Sequence, residues 1–166
     1  MRSVYLCNKL VVAAVNGHAV GAGVTVLPHC DLVVVVEGGK LWTPFVALGI
    51  VPELSSSTTF PSILGSARGK AALLAGRKLS SEELYHCGFA SHILPPTTSF
   101  LSNVLHLAAS TAYATRDAPA AIKDAKVLIR SPHTLETAYK EYKILAKRVN
   151  EGMAMAAAME TIQRRK

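Results

Sequence analysis

Apolar positions follow two different rhythms along this chain. Leu10 to Val15 is one continuous apolar run, and Leu32 to Val36 is a second, built almost wholly of valine. Strands that are apolar without alternation are covered on both faces, as in parallel sheets under helices. Between the runs lie Asn16-Gly17-His18-Ala19-Val20-Gly21-Ala22-Gly23 and then Val24 to His29. That order predicts strand, glycine turn, short helix and strand, a βαβ unit. Leu41–Thr43 and Ser91–Leu94 predict two further short strands. Ser55-Ser56-Ser57 reads as an N-cap cluster opening a helix to Leu64, Ala67 to Leu74 predicts another, and Ser80 with Glu83 has capping-box spacing. From Phe100 onward the rhythm is helical, with segments 100–115, 118–130, 134–150 and 152–164 broken at Pro119, Pro132 and Gly152. The chain therefore divides into an α/β part, residues 1–97, and a helical region, 98–166. Buried parallel strands need neighbours on both sides, and this chain opens almost directly into one, so residues upstream of Met1 are expected.

Composition narrows the class. A chain of 166 residues suits one domain with a sizeable core, and 50% hydrophobic against 17% charged residues excludes a disordered chain. The net charge of +7 leaves two readings open, an anionic partner or a solvated basic surface. Basic residues form no block interleaved with aromatics, which argues against nucleic acid, and Arg164-Arg165-Lys166 reads as a frayed helix end. Cys7, Cys30 and Cys87 lack C-x-x-C spacing and the six histidines lack metal-binding pairs, so no metal site or disulfide framework is expected. Reduced thiols fit an intracellular compartment. No apolar run reaches the roughly 18 residues of a membrane span. Met1-Arg2 and the apolar stretch behind them look loosely like a leader, but Lys9 and Asn16 interrupt it. The C-terminus is not a peroxisomal Ser-Lys-Leu address.

Two features carry candidate chemistry. Gly17, Gly21 and Gly23 lie between a strand and a helix, where unpaired N–H groups and the helix dipole can hold an anion or oxyanion. A tight packing turn explains the same glycines, whereas the dinucleotide fingerprint fits poorly and the P-loop lysine is absent. The second feature is Glu53, one of three acidic residues before the Ser80 helix, the others being Asp31 and Glu37. It lies within the mostly apolar stretch Phe45–Leu54. It is either a solvated charge at a helix start or a base in an apolar pocket with a raised pKa. Asp31 reads as a turn or cap residue. Ser55–Ser57 lacks a nucleophile elbow and reads as capping.

The segment Lys9 to Gly23 and its continuation Cys30-Asp31-Leu32-Val33-Val34-Val35 resemble the signature of the crotonase, or enoyl-CoA hydratase/isomerase, superfamily. Thr43-Pro44-Phe45, Leu48-Gly49, Pro52-Glu53, Ser55-Ser56-Ser57, Phe60-Pro61 and Gly76-Arg77-Lys78-Leu79 resemble its peroxisomal-type Δ3,Δ2-enoyl-CoA isomerases. The resemblance covers residues 9–95 well and the helical tail in pattern only. It implies stacked ββα units with a helical C-terminal region, a homotrimer or hexamer, and a fatty enoyl-CoA substrate. It implies no cofactor beyond the coenzyme A of that substrate, and a mitochondrial or peroxisomal (glycosome-like) matrix. The second oxyanion donor falls on the N–H of Ala22. The first donor and most CoA contacts fall upstream of this chain. The two glutamates of the hydratases fall on Thr25 and Phe45, neither of which can act as a base. The single isomerase glutamate falls on Glu53. Gly21, Thr25, Pro44, Phe45, Leu48 and Leu54 are implied to line the substrate, with Leu54 where relatives often carry glycine. The implied activity is transfer of a double bond from the 3- to the 2-trans position. The alternatives are an acyl-CoA-binding scaffold or another crotonase-type reaction such as thioester hydrolysis.

Overall fold

The valine run becomes the centre of the chain. In the computed structural model, which describes residues 2–115, 119–130, 133–152, 156, 159–160 and 163, Leu32–Val36 forms β3. It is the middle strand of a parallel sheet between β1, Val12–Val15, and β6, His92–Leu94. Val12 lies opposite Leu32 on one side, and His92 lies opposite Val34 on the other. Val33 and Val35 face the larger core with Leu27, Leu41, Phe60 and Leu84, while Val34 and Val36 meet Phe100 and Val104 on the opposite face. Burial on both faces is why the run does not alternate.

The connection from β1 to β3 is richer than a plain crossover. After a short N-terminal helix α1, Arg2–Tyr5, and β1, the glycine turn holds the two-residue strand β2, Ala19–Val20. Helix α2, Ala22–Thr25, and a 3-10 turn, Leu27–His29, follow. β2 pairs in parallel with β4, Lys40–Trp42, which pairs antiparallel with β5, Leu79–Ser80, in a second small sheet. β2 is absent from the sequence expectation because two residues carry no alternation to read.

Helices α3, Ser56–Leu64, and α4, Ser66–Leu74, cover the larger core and cross closely. At the crossing Gly69 is buried, and a Cβ there would stand 2.7 Å from Pro61 N and 2.8 Å from Pro61 Cα. Backbone atoms cannot yield as a flexible side chain can, so Gly69→Ala is expected to cost about 1–3 kcal/mol by forcing the helices apart. Urea unfolding with an unchanged slope checks this, and an unaltered midpoint would show that the crossing relaxes freely.

Helix α5, Ser81–His86, opens with the expected capping box: Ser80 Oγ accepts the Glu83 N–H and the Glu83 carboxylate accepts the Ser80 N–H. Glu83 also pairs with Arg77. Then come α6, Phe100–Thr115, α7, Pro119–Ile129, and α8, Thr134–Asn150, near the expected boundaries. The expected segment 152–164 and the basic C-terminal tail lie largely outside the described residues. α7 is tied to the start of β1 by Lys126, only 7% exposed, whose Nζ donates to Lys9 O at 2.7 Å and pairs with Asp31 Oδ2 at 2.5 Å. Asp31 Oδ2 also accepts the Val11 N–H at 2.7 Å, which gives that carboxylate its turn-fixing role. Cys7, Cys30 and Cys87 are free thiols, each partly buried. Among the described residues no helix is long and apolar enough to cross a membrane, and no His, Cys, Asp and Glu cluster of three or more is disposed to hold a metal.

Candidate active site

The glycine turn delivers two free amide donors. Gly21 sits at φ +59°, a left-handed conformation that suits glycine, and its N–H donates to Trp42 O at 3.0 Å. Gly21 O then accepts the N–H groups of Val24 and Thr25 at 2.9 and 3.1 Å. Ala22 and Gly23 are the first two residues of α2, so their N–H groups have no partner inside the helix. Both residues are exposed. The arrangement can present Ala22 N–H to an oxygen outside the chain.

Glu53 lies on the loop between the 3-10 turn Val46–Leu48 and α3. Its carbonyl accepts the Ser56 N–H at 3.0 Å, and its side chain is partly buried. Burial pushes its carboxyl above the ordinary range, and the nearby Glu141 carboxylate pushes the same way. The loop is held by three residues from two other elements, the Leu27–His29 turn and α8. His29 Nε2 lies 2.6 Å from Leu54 O, bringing the loop against the segment that follows the glycine turn. Glu141 on α8 binds Ser55 N–H and Ser57 N–H, and Arg148 Nε donates to Gly49 O at 2.6 Å. Leu54 and Ser55 are the two non-glycine residues with positive φ among those described, at +54° and +63°. Glycine at position 54 would accept that conformation without the side-chain clash. Strain of this kind persists only where surrounding contacts over-determine it.

His29 is 8% exposed, and because a carbonyl only accepts, its Nε2 must carry the proton it donates to Leu54 O. Burial lowers its pKa, and the Leu54 carbonyl offsets part of that by favouring the protonated ring. A lowered folded-state pKa stabilises the fold above the ordinary 6.5, and this contribution drains away as pH falls below it through the folded value. Glu53, shifted upward, works in the opposite sense. His29→Gln keeps a donor but no titration, so its unfolding free energy is expected to fall less than the parent's between about pH 7 and pH 5. Equal losses in the two proteins would refute the assignment.

The substrate-lining positions implied by the resemblance divide into two groups. Gly21 on the glycine turn, Pro44 and Leu48 before and in the Val46–Leu48 turn, and Leu54 on the Glu53 loop are partly exposed and can line a ligand. Thr25 and Phe45 are 0% and 2% exposed, and Phe45 belongs to the larger core. Thr25 faces inward from α2, with Oγ1 3.4 Å from Gly21 O, so it supports the turn from behind. The serine cluster opens α3 as expected, without the side-chain cap. Ser55 is the N-cap but its side chain caps nothing; its Oγ donates to Thr134 O at 2.5 Å. Sequence reasoning missed His29, Lys126 and Glu141. Glu141 alone left a readable trace, as the acidic member of the inward stripe Thr134, Ala138, Glu141 and Leu145 on α8. A separate cavity of about 680 Å³ lies between α3, α7 and the Leu27–His29 turn; His29 is in its wall, while Glu53 and Ala22 are not.

The sequence over residues 1–163 matches the family of enoyl-CoA hydratases and isomerases, and the chain belongs to that family. Its fold is the crotonase fold. It is similar to an enoyl-CoA hydratase/isomerase of Pseudoalteromonas atlantica, at TM-score 0.88 and 28% identity over 98% of this chain and 64% of that one. It is also similar to OdaA of Pseudomonas aeruginosa, at TM-score 0.86 and 33% identity over 96% of this chain and 64% of that one. Among curated proteins it is similar to the human Chromodomain Y-like protein, 31% identical over 95% of this chain. This chain spans 26% of that protein and just under two thirds of each bacterial chain.

Proposed function

We propose that the protein moves a carbon–carbon double bond in a fatty enoyl-CoA from the 3-position to 2-trans, with Glu53 as the proton carrier. The observation that carries this is the Glu53 loop, with a partly buried carboxylate of raised proton affinity; the resemblance adds that the two hydratase glutamates fall on Thr25 and Phe45, which are not bases. Glu53 takes a proton from C2 of the substrate as the thioester oxygen becomes an enolate. Ala22 N–H, with a second donor, holds that oxygen while the negative charge develops. The same carboxyl returns the proton to C4, and the electrons settle into the conjugated C2–C3 bond. A raised pKa suits a group that must accept a proton and give it back. Pro44, Leu48 and Leu54 supply apolar lining, so that water competes poorly for the enolate. The coenzyme A of the substrate is the only cofactor chemistry required. We place the reaction in the oxidation of unsaturated fatty acids, in a mitochondrial or peroxisomal matrix, and the assembly as a homotrimer or hexamer.

The second reading is an acyl-CoA-binding scaffold without turnover. The likeness to the Chromodomain Y-like protein favours it, because there the matched stretch is a minor part of a longer chain. A 3-enoyl-CoA followed by absorbance of the conjugated thioester separates the two, with calorimetry of a saturated acyl-CoA alongside. Turnover supports the isomerase, binding alone supports the scaffold, and neither binding nor turnover would remove both.

A further inference from the structure

The turn that carries Glu53 has one internal hydrogen bond, Ser56 N–H to Glu53 O at 3.0 Å, and is otherwise held by other elements. Leu54 and Ser55 hold left-handed backbone, which is unfavourable for non-glycine residues. Ser55 makes no side-chain cap, and α3 itself carries no ionisable side chain. The missing cap comes from α8. Glu141 Oε2 accepts Ser55 N–H at 2.5 Å, while Oε1 accepts Ser57 N–H at 3.0 Å and Ser57 Oγ–H at 2.6 Å. Glu141 is 7% exposed, so a buried carboxylate sits on the positive end of α3 with both oxygens engaged. Two helical turns back, Thr134 O accepts from Ser55 Oγ at 2.5 Å.

We propose that Glu141 is a positioning residue for the isomerisation, clamping the start of α3 so that the Glu53 carboxylate is held towards the Ala22 amide. This rests on Glu53 being the base. The clamp joins the helical region to the α/β part at the residue next but one to Glu53. Glu53 from the loop and His29 from the 3-10 turn face Glu141, and Arg148 on α8 reaches the same loop at Gly49. Glu141 therefore also acts through its charge: it favours the protonated form of Glu53.

Glu141→Gln separates placement from folding. The amide accepts through one oxygen only, so one clamp bond is lost together with the charge. In the isomerase assay kcat is expected to fall about 10–100-fold with a smaller change in KM, as for a displaced catalytic group. The midpoint of the pH–kcat/KM profile is expected to move down, towards an ordinary carboxylate. Glu141→Asp keeps the charge at a shorter reach, so it should lower kcat and leave the midpoint in place. It carries the test if the Gln variant fails to fold. Parental kcat in either folded variant, or an unmoved midpoint in Glu141→Gln, overturns the clamp. Glu53→Gln, assayed in parallel, isolates the reading beneath it: if that variant turns over normally, the base assignment fails. If it is inactive while Glu141 variants match the parent, only the positioning role fails.

Discussion

Glu53→Gln is expected to fold normally and to lose about 10²–10⁴-fold in isomerase turnover, the usual contribution of a positioned general base. Both halves of that result come from the same physics. The Glu53 carboxyl is shifted above its ordinary 4.5, chiefly by burial and further by the Glu141 carboxylate. A folded-state pKa above the unfolded one gives stability that is complete below 4.5 and is lost as pH rises through the folded value. At neutral pH the charged side chain therefore weighs against the fold, and an uncharged isostere should match or exceed the parent in thermal unfolding at pH 7. A variant that is inactive but no less stable is the signature of a residue retained for chemistry. A variant that is both active and less stable would make Glu53 an ordinary loop carboxylate.

Ala22→Pro should reduce turnover by about 10²–10³-fold, the loss seen when one oxyanion donor is deleted. Proline removes the N–H that the mechanism uses. It is tolerated at the first position of a helix, where the amide has no intrahelical partner to lose. Ala22 occupies that position in α2 and is exposed, so the ring has room. The substitution should leave the unfolding midpoint near the parent's and change kcat more than KM, because the oxygen becomes an acceptor of full strength only as charge develops on it. An unchanged kcat in the folded variant would remove Ala22 from the oxyanion site.

The sequence made the sheet and most helices legible for a physical reason in each case. β3 was readable because burial on both faces allows no polar residue, and α6 to α8 because Pro119, Pro132 and Gly152 interrupt a steady helical period. The capping box at Ser80 was readable because both its members are local. Features set by distant partners were not. β2 is a strand by virtue of Leu41 and Trp42 opposite it. The serine cluster suggested self-capping, yet the cap arrives from Glu141, 86 positions away. Exposed Tyr139, Tyr142 and Ile144 on α8 blur the polar–apolar pattern, so the inward stripe is the one trace that marks Glu141. The burial of Thr25 and Phe45 was not legible either, because a resemblance transfers a position and not the direction of a different side chain. Leu54 was noted as an unusual substitute for glycine, and its left-handed backbone supplies the reason that glycine would suit the site.

A carrier of one proton leaves an isotopic record. A 3-enoyl-CoA deuterated at C2, converted in ordinary water and stopped early, should yield 2-trans product carrying deuterium at C4, because one carboxyl takes the nucleus from the first carbon and delivers it to the second. The label should vanish with turnover in Glu53→Gln. Product formed by the parent with C4 unlabelled from the earliest times, or labelled product from the Gln variant, would contradict the account.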